Sequence, residues 1–234
     1  MKKTLAALML LAALLLAASL ALAQADVLEL DGAYYTPAST EVRHWSFAYC
    51  DDWFLRPSTS YDHRLARASI GMAVSSFRRD DPAEGNIRAF LGQAGFGNLV
   101  ATDYDKTPSS DTVATMMGSK QLSDGSTLVA VAICGSGYRD EWLSNLTIGG
   151  GDVHEGFEEA SRKVYDRLLS YVADYAPEGE VRIWMAGFSR AAAVSNLTAE
   201  RIMESEQFRQ ENVFVYSFAT PRTTKNPKPY ENVF

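Results

Sequence analysis

Residues 127–134, TLVAVAIC, carry no charge and are apolar at every position after the first. A run of that length without alternation is a strand buried on both faces, so it belongs inside a sheet covered by two layers. The next hundred residues say what the layers are. Residues 152–176 repeat apolar side chains at helical spacing: Phe157, Ala160, Val164, Leu168, Tyr171 or Val172, and Tyr175. Asp152, with Glu155 three residues on, reads as the cap of this helix, and Pro177 and Gly179 stop it. EVRIWMAGF is the next strand, RAAAVSNLTAERIMESE the next helix and NVFVYSFAT the next strand. Strand–helix–strand–helix–strand calls for an α/β fold, with a mostly parallel central sheet and helices on both faces.

Upstream elements are expected to complete this core. The stretch 111–134 reads as two strands joined at Asp124-Gly125, a hairpin signal. Leu65, Ala68 and Met72 mark a helix within 60–79, and Asp81, Pro82 and Glu84 mark the start of another that Gly92 and Gly95 end. HWSFAYCDDWF, residues 44–54, reads as an extended segment packing its rings on the core. Residues 138–147 have the makings of a short helix.

The N-terminus must be set apart from the fold. Met1-Lys2-Lys3 precedes an uncharged Leu/Ala run to residue 23, and ALAQAD supplies small residues at cleavage spacing. Residues 1–25 read as a secretory signal peptide, leaving 26–234 as one domain; an uncleaved membrane anchor is the rival reading. Without Lys2 and Lys3, 20 basic residues face 29 acidic ones, a formal charge of −9. Nucleic acid is a poor partner for such a chain. Export makes a disulfide between Cys50 and Cys134 chemically accessible, but Cys134 ends a buried strand and reads as a small hydrophobe. No His/Asp/Glu cluster has metal-ligand spacing, so no metal or cofactor is expected, with calcium left open.

Ser189 lies in WMAGFSRAAAV, after a strand and before a helix. A serine attacks a carbonyl only when a base takes its proton and donors stabilise the oxyanion. G-x-S-x-G on a strand–turn–helix presents such a serine. Gly187 fits the pattern and Ala191 departs from it. The plain alternative is a helix N-cap.

Three further stretches share the chain with this one: Gly135-Ser136 followed by Trp142, His154 to Phe157 in HEGF, and Pro221-Arg222 after the last strand. In this order and spacing, the chain over 60–234 resembles the class 3 (fungal-type) lipases, in a bacterial branch with Arg after the nucleophile. The resemblance implies an α/β-hydrolase-like fold with Ser189 as nucleophile. It implies the backbone N–H groups of Arg190 and Ser136 as oxyanion donors, and a lid-like segment at 138–146 where Trp142 lines the acyl pocket or the core. Phe188, Cys134 and Ala191 stand where the family usually has His, Arg and Gly.

The three histidines, His44, His63 and His154, all precede Ser189, whereas the fold's order is Ser, then acid, then His. His44 and His63 read as solvated or packing groups, and His154 as a supporting residue. KPYENVF reads as the entry into a further strand. The expectation is therefore a partial domain, with acid and histidine beyond residue 234 and little activity in the 234 residues alone. The full protein is expected to be a secreted acyl-ester hydrolase acting on lipid or small esters, with transient contact to lipid surfaces. The alternative is a non-catalytic binding protein on the same scaffold.

Overall fold

The computed structural model describes residues 26–35, 41–77, 83–105, 113–135 and 151–234. The expected leader, the expected helix start at Asp81-Pro82 and the helix expected at 138–147 fall on residues outside them. The chain forms β1 (Leu28–Tyr35), β2 (Val42–Tyr49), a 3-10 turn (Asp51–Leu55), α1 (His63–Ser75), α2 (Ala83–Gln93), β3 (Gly97–Thr102), β4 (Thr115–Gln121) and β5 (Thr127–Ile133). Then come α3 (Glu155–Tyr175), β6 (Val181–Phe188), α4 (Arg190–Glu204), a second 3-10 turn (Gln210–Asn212) and β7 (Val213–Phe218).

The main sheet has the order β3-β4-β5-β6-β7. The expected α/β-hydrolase-like fold forms, but its sheet is mixed rather than mostly parallel. β5, β6 and β7 are parallel; β3, β4 and β5 are antiparallel, because the tight turn at Asp124-Gly125 folds β4 straight back on β5. Residues 232–234 start to pair beside β7, with Phe234 N donating to Val215 O at 3.0 Å.

Strand alternation sends different side chains to the two faces. Leu128, Ala130, Trp184, Phe214 and Tyr216 face the β1–β2 hairpin, α1 and α2. Trp184 is fully buried there, with ring centroids of Phe54, Tyr49 and Phe96 at 5.2, 5.7 and 6.1 Å. Its indole N–H donates to Ser69 Oγ at 2.7 Å, so the polar end of the ring stays satisfied inside the core. Val129, Val131, Ile183, Met185 and Val215 face α3 and α4. Small residues let those helices approach: Arg201 Nε reaches Ser161 Oγ at 3.0 Å, Ala193 is buried against Phe157 of α3, and Ala191 is buried in the cluster on this face of the sheet.

Some expectations are corrected. Asp152 does not cap α3; the helix starts at Glu155 with His154 at the N-cap position and no side-chain cap. Asp152 instead binds the chain after β7, its carbonyl accepting from Lys225 N (2.9 Å) and its carboxylate from Asn226 Nδ2 (3.1 Å). Tyr175 is 42% exposed, so the buried stripe ends at Tyr171. β1 and β2 form a separate two-stranded sheet, and β3, unforeseen, is an edge strand. Its carbonyls are covered by side chains: Tyr171 Oη donates to Asn98 O (2.8 Å) and Arg88 Nη1 to Leu99 O (3.2 Å), which blunts the edge against further pairing. Cys50 and Cys134 are buried and are not joined in a disulfide.

At the edge where β5, β6 and β7 begin, Arg182 gathers the distant parts. It is 8% exposed and donates to Phe54 O (2.9 Å), Asp124 Oδ2 (3.0 Å), Ser126 Oγ (3.1 Å) and Asn212 Oδ1 (3.2 Å). The Ser126 N–H and hydroxyl, then Arg182, hold the Asp124 carboxyl below its usual value.

Candidate active site

The opposite edge, where β5, β6 and β7 end, carries Ser189. Its backbone has φ 57° and ψ −121°, a conformation that costs a non-glycine residue about 1–3 kcal/mol. Neighbours enforce it: Ser189 N donates to Phe218 O at 2.9 Å, and Ser189 O accepts from Ala192 N at 3.0 Å. Ser189 occupies the N-cap position of α4, yet its side chain makes no cap hydrogen bond and it is only partly buried. The serine thus sits half-buried on a strained turn without capping the helix, which separates it from an ordinary helix cap.

Gly187 shows why the turn needs a glycine there. A Cβ at 187 would sit 2.4 Å from Ala191 O and 2.7 Å from Ser195 Oγ, inside the first turn of α4. Strand and helix cross too closely for a side chain. Ala191, where the family pattern has Gly, is 1% exposed and is accommodated within the packing of the α3/α4 face.

The loop leaving β5 lies against this elbow. A Cβ on Gly135 would be 3.0 Å from Phe188 O and from the Phe77 ring. Ser136, Trp142 and the 138–146 segment lie outside the described residues. Arg190 is described: it is buried and lines the same cavity as Ser189.

That cavity is about 630 Å³, the size of a small-molecule cleft. His154 and Phe157 form one wall, their rings stacked at 3.9 Å and 16°. The other wall is the chain after β7, which carries Pro221, Arg222 and Lys225. Backbone pairing fixes the two walls: Val153 bridges Thr224, and His154 N donates to Thr223 O at 2.9 Å. Of the three histidines, His154 alone lines the cavity. His44 lies on β2 with Nδ1 2.8 Å from Asp31 Oδ2, and His63 starts α1 with Nδ1 3.2 Å from Tyr61 Oη. Among the described residues no group of three or more His, Cys, Asp or Glu side chains is placed to hold a metal ion, and no helix is long and apolar enough to cross a membrane.

The sequence reading brought Ser189, Arg190, His154 and Pro221-Arg222 to attention, and the fold gathers them. It missed Lys225, whose only signal is a second basic residue three positions after Arg222 in the loop leaving the last strand.

Comparison with known proteins gives one family. Residues 113–228 match the model of the class 3 lipases. No curated protein matches the chain. Among solved structures, a fungal lipase–inhibitor complex is 20% identical, with a TM-score of 0.38 and coverage of 54% of this chain and 50% of that one. A lipase from Rhizopus microsporus var. chinensis is 17% identical, with a TM-score of 0.44 and coverage of 59% and 50%. The chain spans about half the length of each of these structures.

Proposed function

Residues 113–228 belong to the class 3 lipase family, and from that membership we propose that the protein is an exported serine hydrolase of carboxylic esters with Ser189 as nucleophile. The observation that carries this is the strained, half-buried Ser189 at the carboxyl edge of the parallel strands β5–β7, lining the cavity there.

In the proposed reaction Ser189 Oγ attacks the ester carbonyl carbon and its proton passes to a histidine base. The oxyanion is held by the Arg190 and Ser136 backbone N–H groups. The C–O bond to the alcohol then breaks, and the base returns the proton to the leaving alkoxide. Water, deprotonated by the same base, cleaves the acyl-enzyme to release the acid and restore Ser189. No cofactor takes part. None of the three histidines follows Ser189, so the proposal places the acid and the histidine outside residues 1–234. These residues alone are then expected to hydrolyse esters poorly, because an unassisted serine is a weak nucleophile. His154 serves as a wall of the cavity.

The test is labelling of the native protein by a fluorophosphonate. Modification at Ser189, lost in Ser189→Ala and kept in His154→Asn, is the expected result. No labelling of native protein would favour a non-catalytic binding protein, and loss in a folded His154→Asn would move the base to residue 154.

A further inference from the structure

The described lining of the cavity beside Ser189 has a charge opposite to that of the protein. The full sequence carries a formal −7, and a field of that sign disfavours anions in general. Yet Arg222 and Lys225, both exposed and both lining the cavity, make no ion pair among the described residues. Lys228, three residues further on but not lining it, is neutralised by Glu200 and Glu204. Among the described lining residues the one carboxylate, Asp152, is engaged by Asn226 Nδ2.

The backbone that carries the two cations is also held in place. Their segment is tied to residues 152–154 by the Val153–Thr224 bridge and by backbone hydrogen bonds at Thr223 and Lys225. Thr224 Oγ1 accepts from Asn226 N at 3.1 Å, which leaves its hydroxyl hydrogen to donate elsewhere. A guanidinium, an ammonium and a hydroxyl offer more donors than a carboxylate needs and suit the several oxygens of a phosphate.

We infer that the ester cleaved at Ser189 carries a phosphate group, which Arg222 and Lys225 bind at the mouth of the cavity while the acyl carbonyl lies at the serine. The substrate class is an acyl ester of glycerol phosphate. This rests on the hydrolase reading for the placement of the ester, but the binding itself does not require catalysis.

The experiment uses the full chain with Ser189→Ala, so that nothing is turned over. Calorimetry compares monomeric dihexanoyl phosphatidic acid with dihexanoylglycerol. The phosphate-bearing ester is expected to bind at least about tenfold tighter, with the advantage shrinking at high salt. It should vanish in the double variant Arg222→Gln/Lys225→Gln, and Arg222→Glu should weaken the phosphate ester alone. Equal affinities, or an advantage that survives the double variant in folded protein, would overturn the inference. Inorganic phosphate should compete weakly; binding as tight as the ester's would make this a free-phosphate site and overturn the substrate assignment. Fluorophosphonate labelling of the wild type runs in parallel. Failure there removes the nucleophile and leaves the phosphate recognition standing, and the reverse pattern removes only the latter.

Discussion

The two edges of the central sheet solve the same geometrical problem differently. Where β5 and β6 begin, the sharp reversals with positive φ fall on glycines, Gly125 at 84° and Gly179 at 85°. Where the strands end, they fall on residues with side chains: Asp103 at 63° after β3, Ser189 at 57° after β6 and Ala219 at 52° after β7. The first edge also has side-chain-bearing residues at positive φ, Asn98 at 50° and Glu206 at 55°, but it is closed by a buried cation, Arg182, with four partners. The second holds the strain of Ser189 beside a cavity that Ser189 lines. The contrast teaches that this fold is tied together by a buried polar knot at one edge and opens its cavity at the other, where the surroundings over-determine the strained serine.

The comparison can be broken most directly at Ser189. Ser189→Gly should abolish fluorophosphonate labelling while raising stability by about 1 kcal/mol, because glycine tolerates the φ that serine bears under strain; a fall in the melting temperature would mean the elbow is not strained. Arg182→Met tests the knotted edge. It removes the buried donors of the Phe54 carbonyl and Asn212 Oδ1, while Asp124 keeps its Ser126 hydrogen bonds, and should cost about 1–3 kcal/mol in urea denaturation. Gly187→Ala places a methyl 2.4 Å from a backbone oxygen and should cost about 1–3 kcal/mol together with the Ser189 geometry, read as lost labelling in still-folded protein. Gly125→Ala, where nothing crowds the new methyl, should cost only about 1 kcal/mol, from φ alone.

A smaller effect is pH dependence. Asp124 is held below its usual value by Ser126 and then Arg182, and Asp62 by the Arg64 guanidinium and nearby N–H groups, against some burial. A depressed folded value means a stabilising contribution that is complete above the unfolded carboxylate range and lost as pH falls through the folded value. Melting temperature should therefore be flat near neutrality and decline below about pH 4, less steeply in Asp124→Asn.

What was legible follows the same division. The hairpin at Asp124-Gly125, the buried run of β5 and the stop at Pro177-Gly179 are written in residue types that directly demand those conformations. Ser189 was legible as an elbow because Gly187 and the following alanines leave room for one. β3 was not: Gly-Asn-Leu-Val-Ala-Thr has only a short apolar stretch, and its edge is finished by Tyr171 and Arg88 from elsewhere. The cap of α3 was misread because Asp152 and Glu155 have capping-box spacing; tertiary pairing with residues 225 and 226 took Asp152 instead. The sheet was read as mostly parallel because the alternating order describes only its later half. Arg182, a lone charge in an apolar strand, was a visible signal whose partners lie too far along the chain to be read.

That reach also sets an order of events. Arg182 meets Asn212 across 30 residues, Asp124 across 58 and the Phe54 carbonyl across 128. Loop closure grows costlier with separation, and distant contacts slow folding. The β4–β5 hairpin can close as soon as it is made, but the Arg182 knot needs Asn212 to have been synthesised. A nascent chain that has not yet reached Asn212 leaves this cation short of a partner, so the arrival of residue 212 acts as the moment at which β6, the β4–β5 turn and the Phe54 segment are locked together.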